Sequence, residues 1–491
     1  MYSNRTARRF PVHEYQLLIN GEYTPALSGN RVEDINPATG EVYASVHQAG
    51  IEDVNLALTS AHEAFQSWKS VAPTERESML LRAAGLVEER AEDLRNVLID
   101  EAGSTLLKAG YEVHHAAIFL RSMAGECRRV KGETYLSDYP GVISYSIRRP
   151  LGVVLAISPF NFPLLLSIRK VGFALAAGNC VVLKPSEVTP VIGLKLGEIF
   201  DAAGIPKGVF NVLPGDGAEI GDALVADPRV KFVTFTGSTQ VGKHVASVAA
   251  AHMKKCALEL GGKNPVIVLD DADLDYAVDC AAFSNFMHQG QICMTGSRVI
   301  VEQGIYDKFC EKFTEKISSL KMGSPREPGT IVGPLIRPTQ PLFIQQQVDA
   351  AREQGARILT GGTSEKSFYH PTVVADVTPE MSIFSTECFG PVASVIKSRD
   401  YRHALELAND SEYGLSSAVI TNDLQKAMEL AEGLEAGMVH INGPSVRDEP
   451  VIPFGGVKNS GLGREGGHFS MDELTELKWI TVQVGKNQFP F

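Results

Sequence analysis

Residues 230–263, VKFVTFTGSTQVGKHVASVAAAHMKKCALELGGK, run from a β-branched, aromatic stretch through a Gly-Ser-Thr turn into the helix-length segment STQVGKHVASVAAAH, and out again into the apolar run CALELGG. This order reads as strand, helix, strand. The same alternation precedes it: LGVVLAI, NCVVLK and GVFNVLP are short strand-like runs, with TPVIGLKLGEIFDAAG as a helical segment between two of them. Strands and helices alternating at this spacing predict right-handed βαβ units and a parallel, doubly wound sheet, which binds its ligand at the carboxyl ends of its strands.

Outward from this core, a second series begins after LELGGK: PVIVL, SRVIV, PVASVIK, LSSAVIT and GMVHIN alternate with DLDYAVDCAAFSNFMHQ and DLQKAMELAEGLEAG. It predicts a second α/β domain. Before residue 127 the chain reads as a strand pair around INGEY followed by a helical cover, with VNLALTSAHEAFQSW and MLLRAAGLVEERAEDLRNVLIDEAG as amphipathic helices. The pieces 127–149 and 471–491 read as exposed strands that need a partner for their edges, and so as a small sheet joining subunits.

With 491 residues the chain is longer than one core usually supports. Its 44% hydrophobic and 21% charged residues are those of a folded soluble protein, and a net charge of −12 without a basic block argues against nucleic acid or an anionic membrane as partner. Seven scattered cysteines without a C-x-x-C pair point to a reducing compartment and to no metal site. The opening MYSNRTARRFPVHEYQLL holds arginines but no apolar signal-peptide core; an Arg-rich transit peptide is the minority reading against early Glu14, and a cytoplasmic location is expected.

One cysteine stands apart. In HQGQICMTGSR, 288–298, Cys293 sits among glycines, small hydroxyl residues and glutamines, whereas a packing cysteine belongs among large apolar side chains. Asn161 in SPFNFPL follows the strand LGVVLAI, where its amide can donate to a developing oxyanion. Glu259 ends the strand CALE, a carboxylate costly to bury unless paired or used. In KPSE, Lys184, Ser186 and Glu187 stand at a carboxyl edge, suited to ribose hydroxyls or, without a ligand, to starting a helix. The turn FTGSTQVG offers helix N-terminal N–H groups to phosphate. GDGAEIG, 215–221, looks more like a dinucleotide fingerprint but has its last glycine one residue late, and reads as a loop that needs positive φ.

Taken together, INGEY, INPATGE, PFNFP, KPSE, FTGSTQVG, LELGGK, GQIC, ECFGPV and PFGGVKNSGLGREGG make the chain resemble the NAD(P)-dependent aldehyde dehydrogenases over almost all its length, and most of all the benzaldehyde, hydroxybenzaldehyde and vanillin type. The resemblance implies that family's α/β fold: a Rossmann-like parallel-sheet cofactor domain of 1–126 and 150–259, a catalytic domain of 260–470, and oligomerisation strands at 127–149 and 471–491. It implies Cys293 as nucleophile, Asn161 as oxyanion donor and Glu259 as general base. It places NAD, with NADP as the second candidate, on Lys184, Ser186, Glu187, Gly237, Ser238, Gly242, Glu387 and Phe389. Phe160 stands where many members have Trp, and Ile292 where many have a second Cys.

Phe160, Phe162, Arg169 and Ile292 are the expected substrate-pocket residues, with Arg169 a lone cation for a polar substituent, while Phe283 and Phe286 read as ordinary core. The expected partners are a small aldehyde and further copies of the chain, as a homodimer or homotetramer. A semialdehyde or aliphatic aldehyde is the first alternative substrate. A CoA-acylating enzyme is disfavoured by Glu259, which is typically replaced in those branches. A cysteine hydrolase with His288 as base leaves the nucleotide loop unexplained, since a solvent-facing or capping His is the plainer reading there.

Overall fold

The computed structural model describes residues 13–491; the arginine-containing start through residue 12 lies outside them. Five parallel strands, Val153–Ile157, Cys180–Lys184, Phe210–Val212, Val230–Thr236 and Lys255–Glu259, form the centre of an eight-stranded sheet. Val153–Ile157 lies between Cys180–Lys184 and Val230–Thr236, so the chain winds outward to Phe210–Val212 and then returns to the other side. This reversal opens a crevice at the carboxyl ends, where such sheets take ligands. The INGEY hairpin, Leu17–Ile19 with Glu22–Thr24, closes one edge antiparallel. Gly461–Leu462 closes the other against Leu258 and Glu259.

A second sheet of seven strands follows, with Pro265–Val268, Arg298–Glu302, Val392–Ser398, Ser416–Ile420 and Met438–Ile441 parallel within it. Apolar clusters cover both of its faces. That is why its strands read as unbroken apolar runs. Only Leu260–Asn264 separates the last parallel strand of the first sheet from the first strand of the second. The carboxyl edge of one sheet therefore leads directly to the amino edge of the other.

Val142–Pro150 pairs antiparallel with Thr475–Gln483 and with Thr134–Tyr135 in a three-stranded sheet. Among the described residues no helix is long and apolar enough to cross a membrane.

Three local expectations change. The segment 79–103 is two helices, Pro73–Glu89 and Ala91–Ala102, broken at Arg90 (φ −97°, ψ 19°). KPSE starts no helix, because the next one runs Pro190–Ala202 from Thr189. The glycines of GDGAEIG do not have positive φ. Instead a Cβ on Gly215 would lie 2.7 Å from Ile220, while one on Gly217 would lie 3.1 Å from Glu187 Oε1, so close approach explains these positions.

Candidate active site

Four of the five parallel strands of the first sheet lead at their carboxyl ends into parts of the candidate site. Past Ile157 the loop brings buried Asn161, whose Nδ2 donates to the Gln291 carbonyl at 2.8 Å. That carbonyl lies two residues before Cys293, and the second N–H of the same amide remains for a ligand oxygen. Past Lys184, Glu187 accepts from Lys184 Nζ at 2.6 Å and from the Gly217 N–H at 3.1 Å. Burial opposes ionisation of Glu187, but the ammonium and the N–H groups outweigh it and hold the carboxyl below its usual range. Past Thr236, Gly237 donates to the Glu259 carbonyl at 3.1 Å, and Ser238 caps the helix Thr239–Ala251 by accepting from Val241 N–H.

Gly242 departs from expectation. It is buried, and a Cβ there would lie 2.3 Å from Leu260, so close packing of the helix against the Leu260 side chain accounts for this glycine. Ser186 is likewise buried, with its hydroxyl turned to the Val188 N–H.

Cys293 lies on the loop between the helix Leu274–Phe286 and the strand Arg298–Glu302, at the amino edge of the second sheet. Asn264 also holds the loop: its Nδ2 donates to the carbonyls of Cys293 and Thr295, at 2.8 and 2.9 Å. The Gly-Gly of LELGGK passes between two parts of the site. A Cβ on Gly262 would lie 2.5 Å from the Cys293 carbonyl, and one on Gly261 would lie 2.4 Å from Glu387 Oε2. Burial, followed by the negative charges of Glu259, Glu387 and Asp448, pushes the half-buried Cys293 thiol up to about 12. The thiol is neutral near pH 7.

Glu259 is 3% exposed, and neither carboxylate oxygen has a hydrogen-bond partner among the described residues. Burial and the neighbouring Glu465 push this carboxyl well above its usual range, against the pull of Lys170, Arg169 and Arg464. Glu387 accepts from the Gly262 N–H at 3.1 Å, and burial raises it to about 7. Phe389, in the left-handed region at φ 45°, meets Phe160 edge to face at 5.7 Å.

The remaining pocket residues divide. Arg169 is fully buried and spends its guanidinium on Asp448, with bonds of 2.7 and 3.0 Å, between the rings of Phe119 and Phe454. It is no free cation for a substituent. Phe162 and Ile292 belong to the core. Phe286 is core as expected, whereas Phe283 is 44% exposed. His288 is neither solvent-facing nor a cap: it is 1% exposed, at φ 48°, and burial together with the Lys108 ammonium pushes it well below its usual range.

The sequence reading missed Asn264, Asp448 and the buried set Lys170, Thr234 and Glu465, in which Lys170 and Thr234 each donate to Glu465 at 3.0 and 2.8 Å. Their signals were faint: charged or polar residues inside apolar runs, explained only by partners up to 295 positions away.

A thiol and a buried carboxyl group without a hydrogen-bond partner among the described residues stand where two α/β sheets meet, and the class of enzyme that holds them, an oxidoreductase, follows from the family. A family model described as "Aldehyde dehydrogenase family" matches residues 23–480, and the chain belongs to that family. It is 42% identical over 480 residues to a vanillin dehydrogenase of Pseudomonas fluorescens, spanning 96% of this chain and 99% of that one. It is 42% identical over 470 residues to a mitochondrial succinate-semialdehyde dehydrogenase of Arabidopsis thaliana, spanning 95% and 89%. A crystal structure of a salicylaldehyde dehydrogenase from Pseudomonas putida G7, complexed with salicylaldehyde, superposes with a TM-score of 0.96 at 37% identity, over 98% of this chain and 100% of that one.

Proposed function

We propose that this aldehyde dehydrogenase oxidises an aromatic aldehyde of the benzaldehyde, hydroxybenzaldehyde or vanillin type to its acid, with NAD and secondarily NADP, through a thioester on Cys293. The observation that most supports it is the buried Glu259 carboxyl, which has no hydrogen-bond partner among the described residues and lies within electrostatic reach of the Cys293 thiol. The Cys293 thiol loses its proton to solvent, its sulfur bonds to the carbonyl carbon, and the displaced electron pair moves to oxygen. Asn161 Nδ2 and the Cys293 backbone N–H hold that oxyanion. When bound, the nicotinamide supplies the two-electron acceptor for the hydride. Glu259 then takes a proton from the water that attacks the thioester, the C–S bond breaks, and the acid leaves.

The crevice fits a dinucleotide. Lys184 and Glu187 present donors and acceptors beside Gly217, where a Cβ would crowd the Glu187 carboxylate. Gly237 and Ser238 stand at the amino end of a 13-residue helix, which favours phosphate. Glu387 lies within electrostatic reach of Cys293 and Phe389 packs against Phe160, positions that suit nicotinamide contacts. We assign 13–126 with 150–259 to the cofactor domain, the part before 13 lying outside the described residues, and 260–470 to the catalytic domain. The three-stranded sheet, with Trp479 71% exposed, is the joint of a homodimer or homotetramer. Seven free cysteines agree with the cytoplasm.

Glu187 sets the cofactor preference through its charge. Repulsion between exposed charges is about 1 kcal/mol or less, so Glu187→Gln is expected to raise kcat/KM with NADP by roughly fivefold or less relative to NAD. Steady-state kinetics with both cofactors measures it, and an unchanged ratio removes Glu187 from cofactor selection.

The substrate assignment is tested with benzaldehyde, hydroxybenzaldehydes, vanillin, succinic semialdehyde and short aliphatic aldehydes, each with NAD and NADP, with and without CoA. Highest kcat/KM for aromatic aldehydes without CoA is the expected result. Preference for the semialdehyde, favoured by the Arabidopsis relative, or dependence on CoA overturns it.

A further inference from the structure

The helix Pro163–Ala177 begins two residues after Asn161 and has no side-chain cap of its own, because Phe162 stands at the capping position. Its first N–H groups are met from another helix, Leu106–Glu126. Leu164 and Leu165 both donate to Glu112 Oε1, at 2.9 and 3.1 Å. Glu112 Oε2 accepts from Lys108 Nζ at 2.5 Å, and Lys108 also donates to Ser104 Oγ at 3.1 Å. The Lys108 and Glu112 side chains are 1% and 0% exposed.

Lys108 Nζ lies 4.4 Å from the centre of the Phe162 ring, whose edge meets the His288 ring at 5.6 Å. On the far side Asn161 is bonded to the Gln291 carbonyl of the Cys293 loop. The segment Asn161–Phe162 is thus clamped between a buried ion pair and the loop that carries the thiol. A cap alone needs only an uncharged acceptor. Two charges without solvent are costly to desolvate unless geometry and further bonds offset it.

We propose that Glu112, held by Lys108, is a positioning residue that fixes Asn161 against the Cys293 loop, a role that rests on Asn161 acting as oxyanion donor. Glu112 touches no reacting atom. Its carboxylate sets the start of the helix, and through it the direction of the Asn161 amide, while Lys108 sets the rotamer of Glu112 and the position of Phe162.

The test is a double-mutant cycle on the single-turnover rate of reduced-nicotinamide formation, in the full-length enzyme with saturating NAD and benzaldehyde. Displacing an acting group by about 1 Å costs on the order of 100-fold, and Glu112→Ala is expected to lose rate on that scale with the KM for NAD unchanged. In an Asn161→Ala background the same change is expected to cost about twofold or less, because the donor it positions is gone. An equal fold loss in both backgrounds overturns the positioning role. Asn161→Ala turning over at the wild-type rate overturns the oxyanion assignment itself, which separates the two failures. If Glu112→Ala does not fold, Lys108→Met with Glu112→Gln carries the cycle, since it keeps an acceptor for Leu164 and Leu165 and removes both buried charges. A full wild-type rate there overturns the need for the ion pair, and a loss that vanishes without Asn161 supports it.

Discussion

Cys293→Ala is expected to abolish aldehyde-dependent formation of reduced nicotinamide, with kcat lower on the order of 10⁶-fold, as for loss of another enzymatic nucleophile, while affinity for NAD is retained. Steady-state kinetics and a fluorescence titration of NAD measure the two halves. The other six cysteines are free, and Cys127, Cys180, Cys280, Cys310 and Cys388 are buried, Cys388 among them although it stands between Glu387 and Phe389. Because burial and three carboxylates push the Cys293 thiol up to about 12, and only the thiolate is nucleophilic, alkylation of the free enzyme by iodoacetamide should accelerate as pH rises through the neutral and alkaline range. Turnover within about tenfold of wild type in Cys293→Ala would remove the covalent pathway.

Glu259→Gln separates acylation from hydrolysis. A general base contributes about 10²–10⁴-fold, so steady-state turnover is expected to fall by that amount while a burst of reduced nicotinamide, near one per active site, survives in stopped flow. Loss of burst and steady state together would place Glu259 before the thioester. The same change has a pH signature in stability. The folded carboxyl lies well above the usual range, so both folded and unfolded chains carry the proton below about pH 4.5 and no penalty arises. Above that pH the unfolded chain ionises first and wild-type stability declines, until pH passes the folded value. Each unit of separation corresponds to about 1.4 kcal/mol. The melting temperature of Glu259→Gln is therefore expected to exceed that of wild type at pH 8 and to approach it at pH 4.5.

Much of the site was legible because strand-to-loop transitions are local. Asn161, Glu187, Ser238 and Glu259 each follow or end a β-branched run, and the crevice at the carboxyl edge follows from parallel winding. The misplaced details have a common cause. Gly242, Gly215 and Gly217 were read for backbone conformation or phosphate contact, but close approach to Leu260, Ile220 and Glu187 accounts for them. Arg169 read as a free cation because Asp448, 279 positions away, gives no local sign of pairing with it. His288 read as exposed because a helical pattern does not reveal a left-handed turn that buries the ring against Phe162.

The sequence by itself determined the two α/β series, the succession of strands along the chain, the thiol in its polar setting and the carboxylate that ends a strand. These rest on periodicity and turn chemistry, which act over a few residues. Tertiary structure alone decided that the five-residue link Leu260–Asn264 sets the carboxyl edge of one sheet against the amino edge of the next, so that Cys293 feels the charge of Glu259, Glu387 and Asp448. It alone decided that buried charges find partners hundreds of positions away. Electrostatic coupling depends on distance and dielectric in the folded interior, and neither is written in the local order of residues.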